Sequence, residues 1–437
     1  MSKVIYCDRS RVTDTERCMR LRYLRYQYGG VGLEREGDLK LDARIGTWVH
    51  HGIETGLTCA KGFKAGEFEA QVAEDAGADF VTDCLKVTSG QILSDQLNYD
   101  IGEGQWIVTA LVYAWLRLRA PRMLWDGDIL AVEKEITVDF HMGSAGYHAK
   151  STADCEINAL MPIVRLMARP DIIWRRKSDG TIFIRNLKTV RKPDDRWREK
   201  WPLDMQTLSE PLAVDKWLHD FFWNIGGINP KPYGPQSEPD TCGGVIIDGL
   251  TTGVVTENKR TKLYHHNNPL VYAWYKPNGL LENGGVWQVE YKYGWEKVAI
   301  ADSYPGGIIA WVDHLITHEP ATVEDLFIEL PPIIRSPYHI ERWKRQVLAR
   351  EVDIHRWATA VDAASSEHRE GLLDKYFPMS TAEGNCIYPG KCMGYDCCHG
   401  SAAGDPLGSG LYRIRTANHK EERKSHETHV RAVEGHD

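Results

Sequence analysis

Asp171 and the tripeptide Asn186-Leu187-Lys188 lie in two apolar, β-branched runs, with fourteen residues between Asp171 and Asn186. A carboxylate is a hard oxygen ligand for Mg²⁺. Position 186 can share the ion, and Lys188, two residues on, points to the same face of a strand. An ammonium there can orient or activate a water and offset charge on a scissile phosphate. The cysteines are the second chemical signal, ten in all. Cys386, Cys392, Cys397 and Cys398 crowd into thirteen residues, and Cys7 and Cys18 lie near the start. In a reduced chain, clustered thiols point to a metal or an iron–sulfur cluster rather than to disulfides. Zinc is the alternative that thiolates also suit. Cys59, Cys84, Cys155 and Cys242 are scattered and read as core residues.

The elements that must position these residues can be read from periodicity and turn chemistry. Residues 171–175 and 181–187 are strands, joined by Lys177-Ser178-Asp179-Gly180, whose Asp-Gly pair is a strong hairpin signal. Residues 129–140 alternate and read as one further strand. Residues 10–28 read as one helix capped by Thr13 or Asp14 and made basic by Arg17, Arg20, Arg22 and Arg25. Helices are expected at 42–60, 63–86, 91–119, 204–223, 304–318 and 337–376. CGGVIIDGL reads as a buried strand, with more β structure to about residue 300. From Gly400 the composition turns Gly/Ser-rich and then charged, which predicts disorder.

Composition narrows the class. With 42% hydrophobic and 26% charged residues over 437 positions, the chain is globular, and no apolar run reaches the ~20 residues of a membrane span. The N-terminus lacks an apolar h-region, which predicts no secretory leader. Net charge is −8, so any nucleic-acid contact must be local and salt-sensitive. The basic first helix, with Tyr23 and Tyr26, offers either a solvated face or phosphate contact plus base stacking. Arg175, Arg176, Arg191, Lys192 and the pair Lys259-Arg260 could add positive patches around the hairpin.

The Asp171…Asn186-x-Lys188 pattern resembles the PD-(D/E)xK nuclease superfamily, in particular its RecB-like branch. Gly46-Thr47-Trp48-Val49-His50, followed by Glu54, is similar to the family helix whose His is a metal ligand; His50 and Glu54, four apart, share a helix face. Gln206 in LDMQTLSE falls where the family carries a Gln beside the active site. The cysteines resemble those of CRISPR-adaptation and AddB-like members, in which one N-terminal and three C-terminal cysteines hold a [4Fe–4S] cluster. Cys18, Cys386, Cys392 and Cys398 match that set, with Cys397 and Cys7 as alternates. VIIDGL and the long helix before YFP resemble phage-encoded members. The islands are short, but they share the family order over most of residues 10–400.

The resemblance implies an α/β fold with a restriction-endonuclease-like core, a mixed central sheet flanked by helices. The expected organisation is a helical N-terminal region (1–128), the nuclease core (129–300), C-terminal helices with a Cys-rich iron–sulfur clasp (301–400) and a disordered tail (401–437). It also implies a Mg²⁺- or Mn²⁺-dependent deoxyribonuclease, an exonuclease in DNA processing, recombination or phage replication. The metal would be held by His50, Asp171, Asn186 and the Leu187 carbonyl. Catalytic roles would fall to Asp171, Asn186, Lys188, Gln206 and Glu54. The expected partners are DNA and a helicase or recombinase, in a bacterial cytoplasm. The sequence departs from the family pattern at three places. Asn186 replaces the second acidic residue, Glu210 stands where a Tyr is common, and Cys386-x5-Cys392 is wider than the usual spacing. The first departure leaves open a catalytically weak or silent DNA-binding protein on the same fold.

Overall fold

The computed structural model describes residues 4–36, 41–60, 101–141, 162–224, 241–257, 264–275, 296–299, 304, 306–380, 382–387, 392–417, 419, 422 and 423. The N-terminal part runs β1 (Val4–Cys7), α1 (Arg9–Arg17), α2 (Met19–Tyr26), β2 (Leu33–Arg35) and α3 (Leu41–Ala60). A long helix, α4 (Ile101–Asp126), leads into β3 (Gly127–Val132), β4 (Ile136–His141), β5 (Ile163–Ala168), β6 (Ile172–Arg176) and β7 (Ile182–Val190). Then come α5 (Asp195–Lys200), α6 (Gln206–Asn224) and β8 (Cys242–Thr251). Two short hairpins follow, β9 (Val254–Glu257) with β10 (Tyr264–Asn267), and β11 (Tyr272–Tyr275) with β12 (Glu296–Ala299). The C-terminal part is α7 (Gly307–His318), α8 (Pro320–Glu324), β13 (Phe327–Glu329), α9 (Pro337–Asp362), α10 (Ser366–Tyr376), α11 (Glu383–Ile387), α12 (Tyr395–His399) and β14 (Tyr412–Ile414).

The fold is mixed α/β. Its central sheet has the order β13-β8-β7-β6-β3, antiparallel except for the parallel pair β7–β8. The parallel pair needs a crossover, and α6 lies within it. Both faces are covered, which explains the near-continuous apolar runs of the middle strands. Ile172, Trp174, Phe183, Leu187, Ile246 and Leu250 pack with α3, α4 and α7. Ile173, Ile182, Ile184, Val245 and Ile247 pack on the opposite side with α6, α9 and a three-stranded sheet of order β1-β5-β4. A third cluster joins α2, α9 and the C-terminal segment through Tyr23, Ile354, Phe377 and Tyr412.

Several elements differ from expectation. The first helix is two helices, because Cys18 is extended (φ −167°, ψ 121°) between α1 and α2. Its cap is Asp8, which accepts the Arg11 N–H; Asp14 is instead paired with Arg25 at 3.0 Å. The strand expected over 129–140 is split by Glu133, at φ 45°, and its two halves join different sheets. Helix α4 runs through Pro121 because Ala120, Met123 and Leu124 are buried, so packing overrides propensity. The stretch 337–376 is α9 and α10, not one helix. The helix expected at 63–86 and residues 91–100 of the next lie outside the described residues. The segment after Gly400 is ordered in part. β14 pairs with β2, and the buried Glu422 bonds Arg11 and Arg415, so side-chain pairing outweighs a composition that reads as disordered. Among the described residues, no helix is long and apolar enough to cross a membrane.

Candidate metal centre

Three strand ends meet at one end of the central sheet. Antiparallel pairing sets Val132 of β3 opposite Ile172 of β6, so Glu133 and Asp171, the next residues outward, are neighbours. The Glu133 N–H donates to the Asp171 carbonyl at 2.8 Å. From the far side of the hairpin, the Leu187 N–H donates to Asp171 Oδ2 at 2.7 Å, and Lys188 Nζ stands 3.6 Å from the same oxygen. His50 arrives from α3. A Cβ at Gly46 would stand 2.9 Å from Thr189 Oγ1, so glycine lets α3 approach β7 closely. His50 Nδ1 then lies 3.5 Å from Asp171 Oδ1 and 3.6 Å from Glu133 Oε1.

The electrostatics follow from this crowding. Burial pushes the Asp171 carboxyl up, but Lys188, His50 and the Leu187 N–H outweigh it and hold the group well below the usual carboxylate range. Burial works against the His50 imidazolium, yet Asp171 and Glu133 raise it to about 9. Glu133 is pushed up by burial and by Asp171, against the pull of His50 and Arg169. One ligand atom from each of His50, Glu133 and Asp171 lies within 4.8 Å of the others. Two carboxylates and an imidazole are a donor set that can hold a divalent cation, Mn²⁺ or Mg²⁺ among those it suits.

The expected site residues divide into four groups. Asp171, Lys188 and His50 are brought together. Asn186 and Gln206 lie one layer behind. Asn186 Oδ1 accepts the Asp171 N–H at 3.4 Å, while Asn186 Nδ2 and Gln206 Nε2 both donate to Glu210, at 2.6 and 2.5 Å. Gln206 Oε1 is buried and has no hydrogen-bond partner among the described residues. Leu187 contributes its N–H to Asp171. Glu54 stands apart, 3.4 Å from His51 Nδ1, and is not in the metal group. Two residues of this cluster and the layer behind it, Glu133 and Glu210, were not among the expected site residues. The three charges Glu133-Lys134-Glu135, which break the apolar alternation, were the signal for the first.

Cys18 stands at the joint between α1 and α2. Arg17 Nη2 donates to the Asn385 carbonyl at 2.8 Å, and Asn385 Nδ2 donates back to the Arg17 carbonyl at 3.1 Å, tying the α1–α2 joint to α11. The Cys392 N–H donates to the Cys386 carbonyl at 2.7 Å. Burial raises the Cys392 thiol, and Cys18 and Cys386 push the same way. Burial pushes Cys398 up to about 12, with Cys18, Cys397 and Cys392 again its neighbours. Among the described residues, no cysteines join a group of three ligand atoms within 4.8 Å. Cys7 is fully buried in the core that packs around β1.

The basic face of the first helix is consumed internally. Arg20 donates to the Phe377 carbonyl and to Asp374, Arg22 to Glu351, and Arg25 to Asp14, and Arg20 and Arg22 are buried. Arg176 is paired with Asp179. Lys259 and Arg260 lie outside the described residues. Arg191, Lys192, Arg196 and Arg198 are exposed on the segment that follows β7. Compared with known proteins, the chain matches no family model and no curated sequence.

Proposed function

We propose that the chain is a Mg²⁺- or Mn²⁺-dependent DNA nuclease, an exonuclease similar to the RecB-like branch of the PD-(D/E)xK enzymes. The observation that carries this reading is the convergence of His50, Glu133 and Asp171 with Lys188 beside them. The order α3, three antiparallel strands β3, β6 and β7, then α6 and the parallel strand β8 supports a restriction-endonuclease-like core. His50, Glu133 and Asp171 would hold the cation, which supplies Lewis acidity and a more acidic water when bound. Lys188 directs its ammonium at the attacking water and offsets charge developing on the phosphate. Asp171 fixes the Lys188 ammonium, and the Leu187 N–H fixes Asp171. Arg191, Lys192, Arg196 and Arg198, exposed after β7, would contact DNA phosphates. Action beside a helicase or recombinase in a bacterial cytoplasm, in a phage-encoded context, belongs to the same reading.

Lys188→Met tests it on labelled linear DNA with Mn²⁺. The expected result is cleavage by the wild-type chain, loss of roughly 10²-fold or more in the variant, and DNA binding by both. Binding by both without cleavage by either would replace the enzyme with the silent DNA-binding protein that Asn186 favours.

Cys18, Cys386, Cys392 and Cys398 would hold a [4Fe–4S] cluster that joins the two ends of the chain. Zinc at the same thiolates is the alternative. Anaerobically purified protein is expected to be brown, with broad absorbance at the blue end of the visible range. A colourless protein carrying stoichiometric zinc would overturn this.

A further inference from the structure

Asn186 and Glu210 divide between them what one acidic residue at position 186 would do alone. Asn186 is fully buried on β7, and Glu210 on α6 is 5% exposed. Asn186 Nδ2 donates to Glu210 Oε2, and Gln206 Nε2, one helical turn earlier, donates to Glu210 Oε1. Both carboxamides present N–H groups, the pattern that a carboxylate accepts. The opposite end of the Asn186 amide accepts the Asp171 N–H, so its orientation is fixed from both sides. An Asp at position 186 would bring two carboxylates to a 2.6 Å contact, where both cannot stay ionised. Asn186 is therefore the residue that a carboxylate arriving from α6 requires.

From this geometry we infer that Glu210 supplies a third negative charge behind those of Glu133 and Asp171, transmitted to Asp171 through Asn186. Glu210 is a positioning residue. It touches Asn186 and Gln206 and stands outside the His50–Glu133–Asp171 group. Burial and Asp171 push its carboxyl up, to about 7, against Lys188 and the two amide N–H groups, so it is mostly ionised above that pH. The carboxylate missing from the strand has thus moved to the helix behind it, and cation affinity depends on a residue that is not a ligand. This inference rests on the proposed cation site.

The test is calorimetric titration of Mn²⁺ into the full chain without DNA. Glu210→Gln is expected to weaken binding about tenfold, as loss of a group that supports a metal ligand does. The exchange Asn186→Asp with Glu210→Gln restores the charge count and is expected to return affinity to within about threefold of wild type. Asn186→Asp alone is expected to bring no gain, because the facing carboxylates share a proton. Unchanged binding by Glu210→Gln, an exchange variant no tighter than that single variant, or roughly tenfold tighter binding by Asn186→Asp alone would each overturn the inference and leave the cation site standing. Absence of Mn²⁺ binding by the wild-type chain would remove the cation site and the inference together. Should Glu210→Gln fail to fold, Asn186→Asp against wild type decides.

Discussion

Asp171→Asn is expected to lower Mn²⁺-dependent DNA hydrolysis by about 10³-fold or more while leaving DNA binding in place. The change is nearly isosteric, so it removes charge rather than volume. That charge is the hub of the site. Its oxygens take the Leu187 N–H at 2.7 Å and stand 3.5 Å from His50 and 3.6 Å from Lys188. With Asn there, Lys188 loses the anion that fixes its position. The variant also changes acid stability in a defined direction. The folded state holds the Asp171 carboxyl below its unfolded value of ~3.9, so ionisation stabilises the fold above that pH. This contribution is lost as pH falls through the depressed folded value, and Asp171→Asn removes that dependence. Acid unfolding followed by circular dichroism, beside the nuclease assay, checks both. Wild-type cleavage by the variant would remove Asp171 from the mechanism.

Glu351→Gln is expected to cost about 3–5 kcal/mol of stability, although it lies on α9, outside the metal group. Glu351 is 2% exposed and accepts from Arg22 Nη2 at 2.6 Å, and the Arg22 side chain is wholly buried. Among the described residues, Arg22 Nε and Nη1 have no hydrogen-bond partner, and the Tyr26 ring lies 5.0 Å away. Neutralising Glu351 leaves a buried guanidinium without its counter-charge. Replacing the pair together, Arg22→Met with Glu351→Leu, is expected to return stability to near wild type, since apolar packing substitutes well for a buried ion pair. Urea unfolding of the two variants makes the comparison. A cost below about 1 kcal/mol for Glu351→Gln would mean that water reaches Arg22. The pair also anchors α2, whose first turn follows Cys18, so loosening it is expected to loosen the clasp.

These results show which features were legible in the sequence. The hairpin carrying Asp171 and Lys188 was, because its signals are local: an Asp-Gly turn and two β-branched runs. Helix α3 with His50 and helix α6 with Gln206 were legible for the same reason. Glu133 was not, because its place depends on β3 pairing with β6 and on a left-handed backbone at the strand end. Glu210 was visible only as a departure from a pattern. Its meaning depends on α6 landing over β7, a contact made across the crossover. The arginines of α2 read as a basic surface because their counter-charges, Glu351 and Asp374, lie more than 300 residues away. The tail read as disordered because composition is blind to Glu422 meeting Arg11.

The most direct test of the whole account is release of acid-soluble nucleotides from labelled linear DNA by one wild-type preparation, with Mn²⁺ and with excess EDTA. The account predicts release with Mn²⁺ and none with EDTA. Equal release in both, or none in either while DNA remains bound, would contradict it.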